Sequence, residues 1–209
     1  MSTSEPEARL LFGPLLETDE DANAQLHARL HARLVAAAHT AGVLDVAYRT
    51  IDTPVGVLLL ATTGQGLVRV AYDNEDHDKV LTKLAGVVSP RVLHAPGQLD
   101  EVSRQLEEYF AGRRKVFELP LDFRLSKGFR RNVLAHLSEI AYGHTESYAR
   151  VAAAAGSPKA VRAVGAACAT NPLPVVVPCH RVVRSDGSLG GYVGGLQAKH
   201  SLLSLEAAV

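Results

Sequence analysis

The spacing of apolar residues changes character twice along the chain. In residues 1–44, "AQLHARLHARLVAAA" places Leu26, Leu30 and Leu34 at i, i+4 and i+8, the stripe of an amphipathic helix. From Asp45 the period shortens. "DVAYRTI", "VGVLLLAT" and "GLVRVAYD" are β-rich runs separated by "DTP" and "TGQ", and they predict a three-stranded antiparallel meander. A helix is expected around residues 75–85. A second is expected over "QLDEVSRQLEEYFAG", with Leu99, Val102, Leu106 and Phe110 on one face and Gly112 as the stop. "KVFELPLDF" reads as a last strand followed by a linker.

After Leu125 the period is helical throughout. Ser126 is placed to cap a helix carrying Phe129, Val133, Leu137 and Ile140, closed by Gly143. "SYARVAAAAG" predicts a short helix ending at Gly156. "SPKAVRAVGAACAT" predicts the next, with Ser157 as N-cap and Pro158 at the first helical position. Two short helices joined by a tight Gly-Ser turn form the pattern of a helix-turn-helix. "GLQAKHSLLSLEAA" predicts the last helix. The resulting division is a helical N-terminal extension over 1–44, a small α/β domain over 45–123 and a helical domain over 124–209.

Composition adds limits. The 209 residues are 47% apolar and 21% charged, as in a globular protein. No window reaches ~18 uninterrupted apolar residues, and "MSTSEPEAR" lacks the basic start of an export signal. No membrane association is expected, and the expected location is cytoplasmic. Cys168 and Cys179 are too few for a disulfide scaffold and are read as free thiols. The net charge of zero hides a split: residues 1–123 carry 12 basic and 18 acidic side chains, residues 124–209 carry 10 and 4. The basic half either meets a polyanion or reflects drift in surface composition.

The candidate chemistry sits in "NPLPVVVPCHRVV", where a thiol, Cys179, and an imidazole, His180, follow an apolar run. Sequence neighbours do not face each other in a helix or a strand. Either the chain bends at Pro178, or a water relays the proton from Cys179 to His180. A histidine base needs a third group to fix its tautomer. Of the four acids in the basic half, Glu206 alone shares the apolar stripe of the last helix, with Leu202 and Leu203. It is either paired in the interior or left in water by a frayed end. Cys168 reads as a small core residue. His27 and His31, four apart, read as a solvated face rather than a metal site.

With "YGHTESYARVAAAAGSPKAVRAVG" upstream of "PCHRVV" and "GYVGG" after it, the chain resembles the O6-alkylguanine-DNA alkyltransferases, the methylated-DNA–protein-cysteine methyltransferases. The resemblance is dense from Phe129 to Glu206, looser from Val46 to Phe123, and absent from residues 1–44. It implies a ribonuclease-H-like α/β N-terminal domain, with a small antiparallel sheet and helices. An all-α, winged-helix or helix-turn-helix-like domain would follow and bind the minor groove. Cys179 would accept the alkyl group of a flipped O6-alkylguanine in double-stranded DNA, or of O4-alkylthymine, irreversibly and once per molecule. His180 with Glu206 would activate it through a water. Asn171 would be a hinge between the recognition helix and the active-site loop, and Arg162 would fill the gap left by the extruded nucleotide. Tyr148 would crowd the phosphate and hydrogen-bond the base, and Tyr192 would line the pocket, with backbone groups near Val182 and Val193 completing recognition. Lys159, Ala160 and Ala163, and with them Ala167, would lie against DNA, the alanines admitting close backbone approach.

The family pattern implies no cofactor, nucleotide or otherwise. Relatives with a structural zinc hold it through N-terminal cysteines, and none precedes Cys168 here, so no metal is expected. A monomer is expected, with clustering on DNA left open. The competing readings are a non-catalytic sensor of alkylated DNA and a Cys-His thiol hydrolase.

Overall fold

A computed structural model describes residues 5–207, with side chains from residue 21 onward apart from residue 39. Met1–Leu44 and Asp45–Val209 separate as two units. The first is a single helix, α1 (Glu5–Thr40), longer than its leucine stripe required. Leu26, Leu30 and Leu34 are each about half exposed, at 53%, 51% and 55%. The stripe is there, but it is not buried.

The second unit starts with the meander. Strands β1 (Val46–Ile51), β2 (Leu58–Thr63) and β3 (Gly66–Tyr72) pair antiparallel, with Ile51 opposite Leu58 and Leu58 opposite Tyr72. Residues 58–61 of β2 are buried on both faces, so their run reads as continuously apolar rather than alternating. Helix α2 (His77–Val87) follows, and Asp76 caps it by accepting from the Lys79 amide at 3.3 Å. Its Val80 and Leu84 pack on Val46, Leu59, Ala61, Val68 and Ala71.

The expected antiparallel sheet needs a correction. Strand β4 (Val92–His94) joins β1 in parallel, so the order is β3-β2-β1-β4 and the sheet is mixed. A parallel partner needs a crossover, and α2 supplies it. Three residues are too few to show a period.

Helix α3 (Asp100–Phe110) ends before Gly112, whose φ of +71° suits glycine. Tyr109, not Phe110, takes the fully buried position. "KVFELPLDF" does not form the expected strand: it makes one isolated parallel bridge, Leu67 to Leu121. Pro120 has no amide to donate, so its carbonyl takes the Leu67 N–H at 2.8 Å and Gln105 holds Glu118 by side-chain bonds.

The remainder is mostly helical. Helix α4 (Phe129–Leu137) is capped by Gly128, not Ser126, which instead closes a short turn through its amide to Phe123. Ile140 is buried beyond the helix end. A two-residue parallel ladder, β5 (Glu146–Ser147) with β6 (Val182–Val183), qualifies the expected all-α character. Helices α5 (Tyr148–Ala154) and α6 (Val161–Ala169) pack together as the helix-turn-helix. Ser157 does not cap α6: its amide closes α5 onto Ala152 O, and α6 starts at Val161 with Ala160 as N-cap. Helix α7 (Gly195–Ala207) ends the described chain. No helix among the described residues is long and apolar enough to cross a membrane.

Candidate active site

Residues 171–182 are buried without a break. Asn171 leaves α6 and ties this segment together: its side-chain NH2 donates to Val177 O at 2.8 Å and to Cys179 Sγ at 3.2 Å, while Oδ1 accepts from the Leu173 amide at 3.0 Å. Between them Val175 holds a φ of +72° with its side chain fully buried. A β-branched residue in that region is strained, and packing on all sides holds it there.

Cys179, His180 and Arg181 form a 3-10 turn in which the thiol and the imidazole bond to different partners. The bend at Pro178 therefore does not bring them into contact; the partner of the sulfur is Asn171. Cys179 is 1% exposed, and burial pushes its thiol up to about 11, opposed by the Asn171 hydrogen bond and the Lys199 ammonium.

His180 turns the other way. Its Nε2–H donates to Glu206 Oε1 at 2.9 Å. Glu206 is interior and paired, which settles the two readings of its position. The same carboxylate accepts from the Tyr109 hydroxyl at 2.7 Å, from Arg181 Nε at 2.9 Å and Nη2 at 2.8 Å, and from the Gly143 amide at 3.2 Å. Burial alone would raise the Glu206 carboxyl, but His180 and Arg181 hold it down at about 2, so it is an anion. Burial lowers His180 despite Glu206, so the imidazole is neutral near pH 7. A neutral ring that donates through Nε2 has its lone pair on Nδ1, and that atom is buried without a hydrogen-bond partner among the described residues. Such an arrangement, a neutral imidazole whose tautomer is fixed by a buried carboxylate, can act as a general base through Nδ1.

Other expected residues are only partly gathered here. Tyr148 opens α5, half-buried, and its hydroxyl lies where a Cβ on residue 190 would be, so a side chain there would displace the Tyr148 ring. Tyr192 hydrogen-bonds Tyr72 hydroxyl to hydroxyl at 3.0 Å, its ring edge-on to His180. Val182 O accepts from Lys199 at 2.6 Å and Val193 O from Asn74 at 3.0 Å, so both carbonyls are engaged within the chain. Lys159, Arg162 and Ala163 are exposed on or beside α6, with Ala160 half-buried. Ala167 belongs to the core at 3% exposure, beside Val164 and Cys168, and does not face a groove, whereas Ala166 is exposed like Ala163. Cys168 is buried, as expected.

Four participants escaped the sequence reading: Arg181, Tyr109, Tyr72 and Lys199. Lys199 was within reach, since it shares with Leu202 and Glu206 the i, i+3, i+7 face that singled out Glu206. Tyr109 and Tyr72 come from the α/β half, and nothing local in the chain links them to the thiol. Among the described residues no cluster of three or more His, Cys, Asp or Glu is placed to hold a metal ion.

Comparison with known proteins adds the family. Residues 46–123 match the ribonuclease-like domain and residues 128–208 the DNA binding domain of 6-O-methylguanine DNA methyltransferase. A constitutive methylated-DNA–protein-cysteine methyltransferase of Bacillus subtilis is 43% identical over 76% of this chain and 94% of its own. A methylated-DNA–protein-cysteine methyltransferase of Mycolicibacterium paratuberculosis is 40% identical over 77% of this chain and 92% of its own. The crystal structure of Mycobacterium tuberculosis O6-methylguanine methyltransferase superposes with a TM-score of 0.69 at 39% identity, covering 78% of this chain and 93% of that one. A Mycobacterium tuberculosis OGT in complex with DNA gives 0.67 at 38%, with the same coverage.

Proposed function

This chain belongs to the 6-O-methylguanine DNA methyltransferase family, and from that premise we propose that it repairs DNA by moving the alkyl group of O6-alkylguanine onto Cys179, once per molecule. The observation that carries the proposal is the split turn. Cys179 Sγ faces Asn171, while His180 presents an unpartnered Nδ1 and is anchored behind by Glu206.

With Cys179 1% exposed and its thiol protonated, the sulfur is inert until a base arrives. The target base is extruded from the duplex, because the O6-alkyl carbon is out of reach inside the stack. It enters as the stretch around Gly190 to Gly194 moves off Tyr148 and Tyr72, against which both glycines pack. The thiol proton passes through a bridging water to His180 Nδ1, and Glu206 stabilises the imidazolium. The Lys199 ammonium favours the thiolate. Sulfur then bonds to the alkyl carbon, the carbon–oxygen bond breaks, and its electron pair goes to O6. The Tyr148 hydroxyl donates to that oxygen as charge develops, and the proton taken from sulfur is returned to guanine. The products are guanine and a thioether on Cys179, which nothing in the site hydrolyses.

On this reading Arg162 stands in the gap left by the extruded nucleotide, with Lys159, Ala160 and Ala163 against the duplex. Incubation with duplex DNA labelled on the O6-methyl group should place one equivalent of label on the peptide holding Cys179, with intact mass rising by one methylene. Transfer that persists in Cys179→Ala would falsify the assignment. Turnover of an activated ester beyond one equivalent would favour a thiol hydrolase instead.

A further inference from the structure

The basic excess of residues 124–209 is not gathered on the helix-turn-helix. Of its ten cationic side chains, Arg181 and Lys199 are buried, and Arg150, Lys159 and Arg162 lie on or beside α5 and α6. Three others, Arg124, Lys127 and Arg130, line a groove of about 1010 Å³ beyond the C-terminal end of α6, together with Arg69 and Lys83 of the α/β half. The acid in its lining, Glu75, is already paired with Arg69, and Arg124 is paired with Asp122. That leaves Lys83, Lys127 and Arg130 exposed and without an ion pair among the described residues. Like charges converging on one groove repel each other, and an anion in the groove relieves that repulsion. Ala169 and Thr170, the C-terminal end of α6, border the same groove. It is therefore continuous with the surface that meets DNA in the reading above.

We propose that this groove binds the phosphodiester backbone of the same duplex, outside the footprint of α5 and α6, and so recruits the α/β half into DNA binding. The proposal rests on the repair reading, which brings the duplex to α6. Lys83 on α2 supplies the contact from the α/β half, and Lys127 and Arg130 supply it from the segment leading into α4. Three cations on a groove of this size match two or three consecutive phosphates, and the contact is indifferent to sequence.

The test compares wild type with Lys83→Gln/Lys127→Gln/Arg130→Gln on unmodified duplexes of about 10 base pairs, roughly one helical turn, and about 25. Each phosphate contact adds about 0.9 to the slope of log affinity against log salt. On the long duplex the variant's slope should fall by about 2 to 3, on the short one it should not change, and K83R/K127R should keep the wild-type slope. Transfer from free O6-benzylguanine, which needs no duplex, should stay at the wild-type rate and certifies the fold. Equal slopes on the long duplex overturn the proposal. Equal losses on both lengths also overturn it, because the cations would then lie within the α5–α6 footprint. If wild type binds neither duplex, the DNA reading itself fails, and the groove with it.

Discussion

Glu206 is 2% exposed and accepts five hydrogen bonds; Arg162, on the outer face of α6, is exposed and makes no ion pair among the described residues. The two belong to one half of the chain and to one proposed reaction, yet they are built on opposite rules. A buried carboxylate is tolerable only when its oxygens are satisfied and a cation stands beside it. Glu206 therefore draws partners from α3, from the end of the 138–143 loop and from the turn after Cys179. Chemistry assembled that way is inseparable from stability. An exposed arginine costs the fold nothing, so a residue of that kind is free to be shaped by what it touches in the complex. Mutations in the first region should register in the fold and the reaction together. Those in the second should register in DNA-dependent steps alone.

The hardest blow to the first region is Arg181→Met. It keeps bulk but leaves Glu206 without its guanidinium and Ile140 O without the donor now at 2.5 Å. Removing one partner of a buried ion pair costs about 3–5 kcal/mol. Denaturant unfolding should show a loss of that size, accompanied by slower alkyl transfer from free base as well as from DNA. A loss under about 1 kcal/mol, typical of exposed pairs, would mean that water reaches the cluster and that the contrast with α6 is false.

Acidification probes the same region more gently. The two relevant shifts have one sign. Folded His180 titrates below an ordinary histidine, so as pH falls through the ordinary range the unfolded chain takes up a proton that the folded one refuses. Folded Glu206 stays ionised down to about 2, so from the ordinary carboxylate value downward the unfolded chain again binds more protons. Stability should therefore fall as pH drops below about 6.5, by at most about 1.4 kcal/mol per pH unit for each proton. Glu206→Gln should abolish the carboxylate part of that slope. Stability that is flat or rises between pH 7 and about 4.5 would contradict the His180 assignment, and stability that is flat from there down to about 2 would contradict that of Glu206.

How much of this was legible in the sequence follows the same division. The meander, α3 and the helices after Leu125 are legible because each is an apolar run or stripe of six or more residues bounded by turn signals. The β4 strand and the β5–β6 ladder did not, since two or three residues carry no period. Ser126 and Ser157 were read as caps by residue type, but both spend their backbone amides on closing a preceding turn. In the site, chemistry and spacing single out Cys179, His180 and Glu206 as candidates within one segment and one helix, but leave open whether Glu206 is paired inside or frayed into water; the fold pairs it with His180. Tyr109 was invisible because its partner lies 97 positions away, and a pairing over that distance exists only in the folded chain. At Ala167, small size on α6 serves packing against the core rather than closeness to DNA.

The smallest effect on stability, and the sharpest test of the outer region, belongs to Arg162→Ala. With no ion pair to lose among the described residues, unfolding free energy should change by less than about 0.5 kcal/mol, and transfer from free O6-benzylguanine should be unchanged. Repair in duplex DNA should slow about tenfold, because extrusion of a stacked base costs a few kcal/mol and the variant no longer fills the gap. The deficit should also scale with that cost. It should shrink when the alkylated guanine sits in a mismatch, where the base is already poorly stacked, and nearly vanish in single strands, where nothing needs to be opened. Equal losses on duplex, single strand and free base would place Arg162 in the thiol chemistry rather than outside it, and the division between a buried reacting centre and an exposed opening tool would no longer hold.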